Sequence, residues 1–142
     1  MRFMIIVKAT KDSEAGAMPK QDMFAAMATY HEELAKAGVL LDASGLQPSS
    51  KGWRVKHSGS RRSVIDGPFT ESKELIAGYT LIQVKTREEA VEWSRRFPNP
   101  AGGEADCEIE VRQVFEMDDF EKNEHTDRFR KLEANRKKAA SK

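Results

Sequence analysis

With 142 residues the chain is long enough to bury a single core and short for two domains. Its 39% hydrophobic and 33% charged residues, with a mean hydropathy of −0.66, include no window near the roughly 20 apolar residues of a membrane-spanning helix. A formal net charge of +1 gives no overall attraction to nucleic acid, and Cys107, the single cysteine, rules out an intrachain disulfide and points to the cytoplasm.

The first segment, "RFMIIVKA", sets Phe3, Ile5 and Val7 on one face and Met4 and Ile6 on the other, with charge returning at Lys8. That pattern reads as a central strand and not as a signal peptide. After a loop over "DSEAGAMP", Met23, Met27, Tyr30 and Leu34 recur at spacings of four, three and four, one stripe of a helix over 19–37 that Gly38 ends. A short strand "VLLDASGL" follows, then two strands in "WRVKHSGSRRSVID" meeting at Ser58 and Gly59. "AGYTLIQV" is a further strand. "TREEAVEWSRRFP" is a helix with a capping box between Thr86 and Glu89 and an inward stripe of Ala90, Trp93 and Phe97. "CEIEVRQVFEM" alternates, with Ile109, Val111 and Phe115 expected on its buried face.

The order of strand, helix, several antiparallel strands, helix and strand predicts an α+β domain over 1–117, on the ferredoxin-like split-βαβ plan with an inserted hairpin. One sheet with helices on one face leaves the other face bare, so a symmetric dimer that stacks two sheets is expected. Residues 118–142 read as an added charged C-terminal helix or tail. From Glu121 on, eight Lys/Arg stand against four Asp/Glu, a basic asymmetry that suits an acidic partner and supports nucleic-acid binding only weakly.

"GVLLDASGL", "VIDGPFTESKELIAGYTLIQVKTREEAVEWSRRFP" and "IEVRQV", in that order, resemble the YCII-related proteins, in the branch named for its DGPF motif. The resemblance covers 1–117 and implies a dimeric α+β barrel, hence a homodimer, with no established activity. It also implies a link to extracytoplasmic-function sigma factors, beside which members of this branch are often encoded. The His and Asp pair proposed for the better-studied branch falls on Ala26 and Lys36 here, so that pair does not carry over.

Asp66, Gly67, Pro68 and Phe69 suit a tight turn, in which Asp accepts backbone N–H bonds, Gly permits positive φ, Pro fixes the next φ and Phe anchors the turn. Asp66 is also a candidate general base, and Phe69 a candidate ligand contact. Glu71 and Lys73, read as extended chain, would share one side and face a polar ligand. Tyr79 follows a strand glycine that signals close backbone or ligand approach. Arg112 points away from the helix-packed face, toward the interior of the expected barrel, and is the candidate anion binder. His31 sits at the edge of the first helix's buried face, as a hydrogen-bonded boundary residue or as an acid or base. The histidines share no ligand spacing, so no metal site is expected, and no nucleotide or hydrolase motif occurs. The leading reading is a cofactor-independent enzyme or binder of a small polar molecule. The alternative is a non-catalytic regulatory or interaction protein, with a sigma factor as one partner.

Overall fold

The computed structural model describes residues 1–141. Six strands run as β1 (Arg2–Lys8), β2 (Leu40–Gly45), β3 (Trp53–Ser58), β4 (Arg61–Asp66), β5 (Ile76–Gln83) and β6 (Ile109–Gln113). Four helices, α1 (Lys11–Glu14), α2 (Gln21–Lys36), α3 (Arg87–Arg95) and α4 (Glu124–Ala140), complete the fold.

The main sheet has the order β2-β5-β1-β6, and every neighbouring pair is antiparallel. β1 and β2 are therefore parallel, joined through α2 and separated by β5. β5 and β6 are related in the same way through α3 and β1. Alternation along the central strands sends Phe3 and Ile5 of β1, Thr80 and Ile82 of β5, and Val111 of β6 to one face. There they meet Tyr30 and Leu34 of α2 and Ala90 of α3, with Trp93 and Phe97 packed alongside. Ile5, Leu34 and Ile82 are fully enclosed, each contributing about 1.5–3 kcal/mol by leaving water. The Tyr30 hydroxyl crosses from α2 to donate to the Trp93 carbonyl at the end of α3, at 2.7 Å.

The mixed α+β class stands, but the dimeric α+β barrel does not. The four-stranded sheet is open, with β2 and β6 at its edges, and no closed barrel forms among the described residues. The hairpin is the reason no strand is added: β3 and β4 pair only with each other, from Trp53 opposite Asp66 to Ser58 opposite Arg61, as a separate two-stranded sheet. Every residue of that hairpin is exposed, Trp53, Val55 and Val64 among them.

Smaller differences have local causes. The loop expected after β1 contains α1, because Thr10 and Ser13 cap each other's backbone N–H at 3.1 and 2.8 Å. The Thr86 hydroxyl accepts from the Glu89 N–H as expected, yet the Glu89 carboxylate reaches back to the Lys85 N–H, one residue before the cap. β6 ends at Gln113, so Phe115 lies outside the core and packs against Phe120, ring centres 4.9 Å apart. Asn123 caps α4, which leaves Phe129 and Leu132 about two-thirds exposed, at 61% and 63%.

Burial pushes the Tyr30 phenol up to about 12, with Arg96 opposing and Glu33 adding to the rise. Its folded value lies above that of the unfolded chain, so its contribution is complete below about pH 10 and is lost as pH climbs toward 12. Tyr30→Phe is expected to lower stability by about 0.5–1.5 kcal/mol in urea unfolding at neutral pH, by removing one of the two hydrogen bonds to the Trp93 carbonyl, which keeps the Arg96 N–H at 3.2 Å. The same variant should show a flatter decline of stability above pH 10 than the wild type.

Candidate functional site

The apolar stripe of α2 does two jobs. Its C-terminal half, Tyr30 and Leu34, meets the large side chains of Phe3, Ile5 and Ile82. Its N-terminal half, Met23 and Met27, faces the other end of the sheet, where β2 and β5 carry Ala43, Ser44, Gly45, Ala77 and Gly78. Gly45 and Gly78 are direct cross-strand partners. Small residues there leave a cavity of about 400 Å³ between helix and sheet, within the size range of small-molecule sites.

Gly78 is small for a second reason: a Cβ on it would lie 3.0 Å from the Ser44 carbonyl oxygen. A Cβ on Gly45 would meet nothing within 4 Å. The two glycines thus play different parts, one permitting strand approach and the other leaving space.

The cavity wall is mostly apolar, from Val7, Met23, Phe24, Met27, Phe97 and Pro100, and its defined polar feature is His31. His31 Nδ1 lies 2.8 Å from the Met27 carbonyl, which can only accept, so Nδ1 carries the proton. In the neutral ring Nε2 is then the acceptor, and the Thr80 hydroxyl donates to it at 2.8 Å. Thr80 is a buried polar residue of the central strand, 2% exposed, and the edges of Tyr30 and Phe97 flank the imidazole. Any other donor to Nε2 would have to replace the Thr80 hydroxyl there. Among the described residues no Asp, Glu or Cys lines the cavity beside His31, so the donor set does not suit a metal ion.

Two of the seven residues singled out in the sequence border this cavity, His31 and Tyr79. Tyr79 directs its hydroxyl to Asp42 Oδ2 at 2.9 Å. Asp66 is exposed at the end of β4, opposite Trp53. Glu71 and Lys73 are exposed, and the extended chain expected there is a 3₁₀ turn over Ser72–Glu74. Arg112 is exposed on β6, on the sheet face away from the helices, and pairs with Glu110 at 3.4 Å. Hydrogen bonds from Lys8 and then Arg112 hold the Glu110 carboxyl below its ordinary range.

Phe69 belongs to a different cluster. Its backbone N–H donates to Ser49 Oγ at 3.0 Å, and the Arg54 guanidinium lies 3.8 Å above its ring. Gly67 donates to the Gly52 carbonyl at 3.0 Å and passes so close to the Ser49 carbonyl that a Cβ would overlap it. The Asp66–Phe69 turn is therefore seated on the 3₁₀ turn Ser49–Lys51 by close backbone packing. Ser49 in turn donates from its backbone N–H to Glu14 Oε1 at 3.0 Å, and its hydroxyl donates to Glu14 Oε2.

This architecture has a match among known families. A YCII-related domain model covers residues 1–118, and the chain belongs to that family. It is 33% identical over 73 residues to an uncharacterised protein of Rhizobium meliloti (strain 1021), an alignment that takes in 51% of this chain and only 59% of that relative's length. Among solved structures it is similar to a 5-chloro-2-hydroxyhydroquinone dehydrochlorinase from Burkholderia phenoliruptrix AC1100, in complex with 2,5-dihydroxybenzoquinone. That likeness covers 81% of this chain and 94% of the other at 14% identity and a TM-score of 0.40, too distant to carry an argument about the site.

Gly78→Ala is expected to destabilise the protein by about 1–3 kcal/mol, because β2 must move to admit the methyl. Gly45→Ala should stay within about 0.5 kcal/mol of wild type. Urea unfolding of the two variants side by side checks the difference.

Proposed function

We propose that this YCII-related protein, in the DGPF branch by its Asp66–Phe69 turn, binds a small, largely apolar molecule that carries one hydrogen-bonding group. The observation that supports this is the hydrogen-bonded imidazole of His31 in a mostly apolar cavity of about 400 Å³. The wall shifts the preferred ligand from a polar molecule to a mostly apolar one, since apolar area supplies the affinity and one polar contact the orientation. Lys8, the cation at the rim, is already engaged with Glu110 at 3.4 Å, which favours an uncharged ligand over an anion. Any chemistry at the site would pass a proton through His31 Nε2, held in orientation by the Met27 carbonyl. No cofactor enters this reading.

A thermal-shift screen that sets phenols and alicyclic alcohols against carboxylates and phosphates tests it. Binding at a hundredfold excess over Kd adds about 2.7 kcal/mol of stability. Hits are expected among the uncharged compounds and should disappear in Gly45→Leu, which fills the cavity, and weaken in His31→Phe, which removes the polar contact. Hits confined to anions, or unchanged in Gly45→Leu, would contradict the reading.

A protein-interaction role is the second reading, with a homodimer as its simplest form. It is favoured by Trp53, Val55 and Val64, which alternation and pairing place on one exposed face of the hairpin. Exposed Phe129 and Leu132 on the basic α4 add to it. The sigma-factor association rests on resemblance alone. Light scattering of wild type and Val64→Lys checks this second reading, which predicts a dimer that the charge dissociates.

A further inference from the structure

Residues 10–20 connect β1 to α2 and form one wall of the cavity through Thr10, Ser13 and Pro19. The segment is tied at its start, where the Ala9 N–H donates to the Leu75 carbonyl at 2.9 Å, and at its end by entry into α2. Between those points its own hydrogen bonds are local: the reciprocal Thr10 and Ser13 caps and the Ala17 N–H on the Asp12 carbonyl. Among the described residues, the only side-chain hydrogen bonds joining it to the rest of the chain are those between Glu14 and Ser49. Glu14 is half-buried, and none of its neighbours Lys11, Asp12 and Lys20 forms an ion pair among the described residues.

Ser49 is suited to hold such a carboxylate. Its backbone N–H and its hydroxyl proton both go to Glu14, and its hydroxyl oxygen receives the Phe69 N–H, which fixes the rotor. Close packing of Gly67 fixes the Ser49 backbone as well. A carboxylate gripped by two donors is held more strongly than a neutral acceptor.

We infer that Glu14 is the latch of a strap over the cavity, and that the Asp66–Phe69 turn, through Ser49, is the rigid catch that receives it. The strap then sets the rate at which molecules enter and leave, and the turn acts on the cavity without contacting its contents. This inference rests on the ligand-binding reading for its purpose, but the latch itself can be tested without a ligand.

Met23 and Met27 line the cavity behind the strap, and Met18, 77% exposed, is an internal control. Met23 and Met27 are partly exposed, and methionine oxidation follows access, so the increase over wild type in dilute hydrogen peroxide, read by peptide mass analysis, reports how much further the cavity opens. Glu14→Ala should speed sulfoxide formation at Met23 and Met27 by roughly tenfold, the factor expected on losing a charge-assisted hydrogen bond, and leave Met18 unchanged. Ser49→Ala, which keeps the backbone donor, should give a smaller increase and serves if Glu14→Ala does not fold. Equal rates at Met23 and Met27 in wild type and in whichever of these variants folds would overturn the latch. Phenol at high concentration separates the two ideas. Protection of Met23 and Met27 supports both, whereas no protection, with the variant still faster, removes the ligand reading and leaves the latch standing.

Discussion

Where β2 passes β5, Gly45 faces Gly78, and neither strand offers a side chain to the helix above. The rest of the site depends on that pairing. α2 presents one continuous apolar stripe, and what the sheet places beneath it decides whether a given turn of the helix is packed or stands over a cavity. Under Tyr30 and Leu34 the sheet supplies Phe3, Ile5 and Ile82, and the contact closes. Under Met23 and Met27 it supplies glycine, alanine and serine, and a cavity of about 400 Å³ remains. The two flexible methionines suit such a wall, since an unbranched thioether can repack around different shapes. His31 stands on the boundary between the halves. One of its ring nitrogens is satisfied by its own helix and the other by Thr80 of the sheet, so the imidazole is held in one orientation.

A second consequence follows from the placement of the tight turn. The Asp66–Phe69 segment looks like a site in sequence because it combines a glycine, a proline, an aromatic residue and charged neighbours. In the fold, those features serve packing against Ser49: the glycine because a Cβ has no room, and Phe69 because its N–H and its ring are both engaged. The charge of Glu71, Lys73 and Glu74 is spent on solvent around a short 3₁₀ turn.

The secondary structure was largely legible because its signals are local. Alternation marked β1 and β6, the four-three-four stripe marked α2, and Thr86 marked the start of α3. α1 was missed because a single helical turn held by a reciprocal Thr and Ser cap has no apolar period to detect. The barrel was expected from a bare sheet face and from family resemblance; the sheet instead is open, with β2 and β6 at its edges, and no local pattern says which strands end a sheet. His31 was legible as a residue at the edge of the helix stripe. The cavity was not, because it comes from register: nothing local says that the glycine of "ASG" lies opposite the glycine of "AGY". Glu14 was hidden for the same reason, its partner being 35 residues away.

The most direct measurement is xenon titration of protein labelled at its methionine and threonine methyls, followed by NMR, because apolar cavities take up xenon without any need to know the natural ligand. The account predicts saturable shifts at Met23, Met27 and Thr80, with Met18 silent, and loss of all three in Gly45→Leu. Shifts scattered over exposed methyls, or no saturable response at Met23 and Met27, would mean that the small-residue row of β2 and β5 holds no cavity open, and would contradict the central claim.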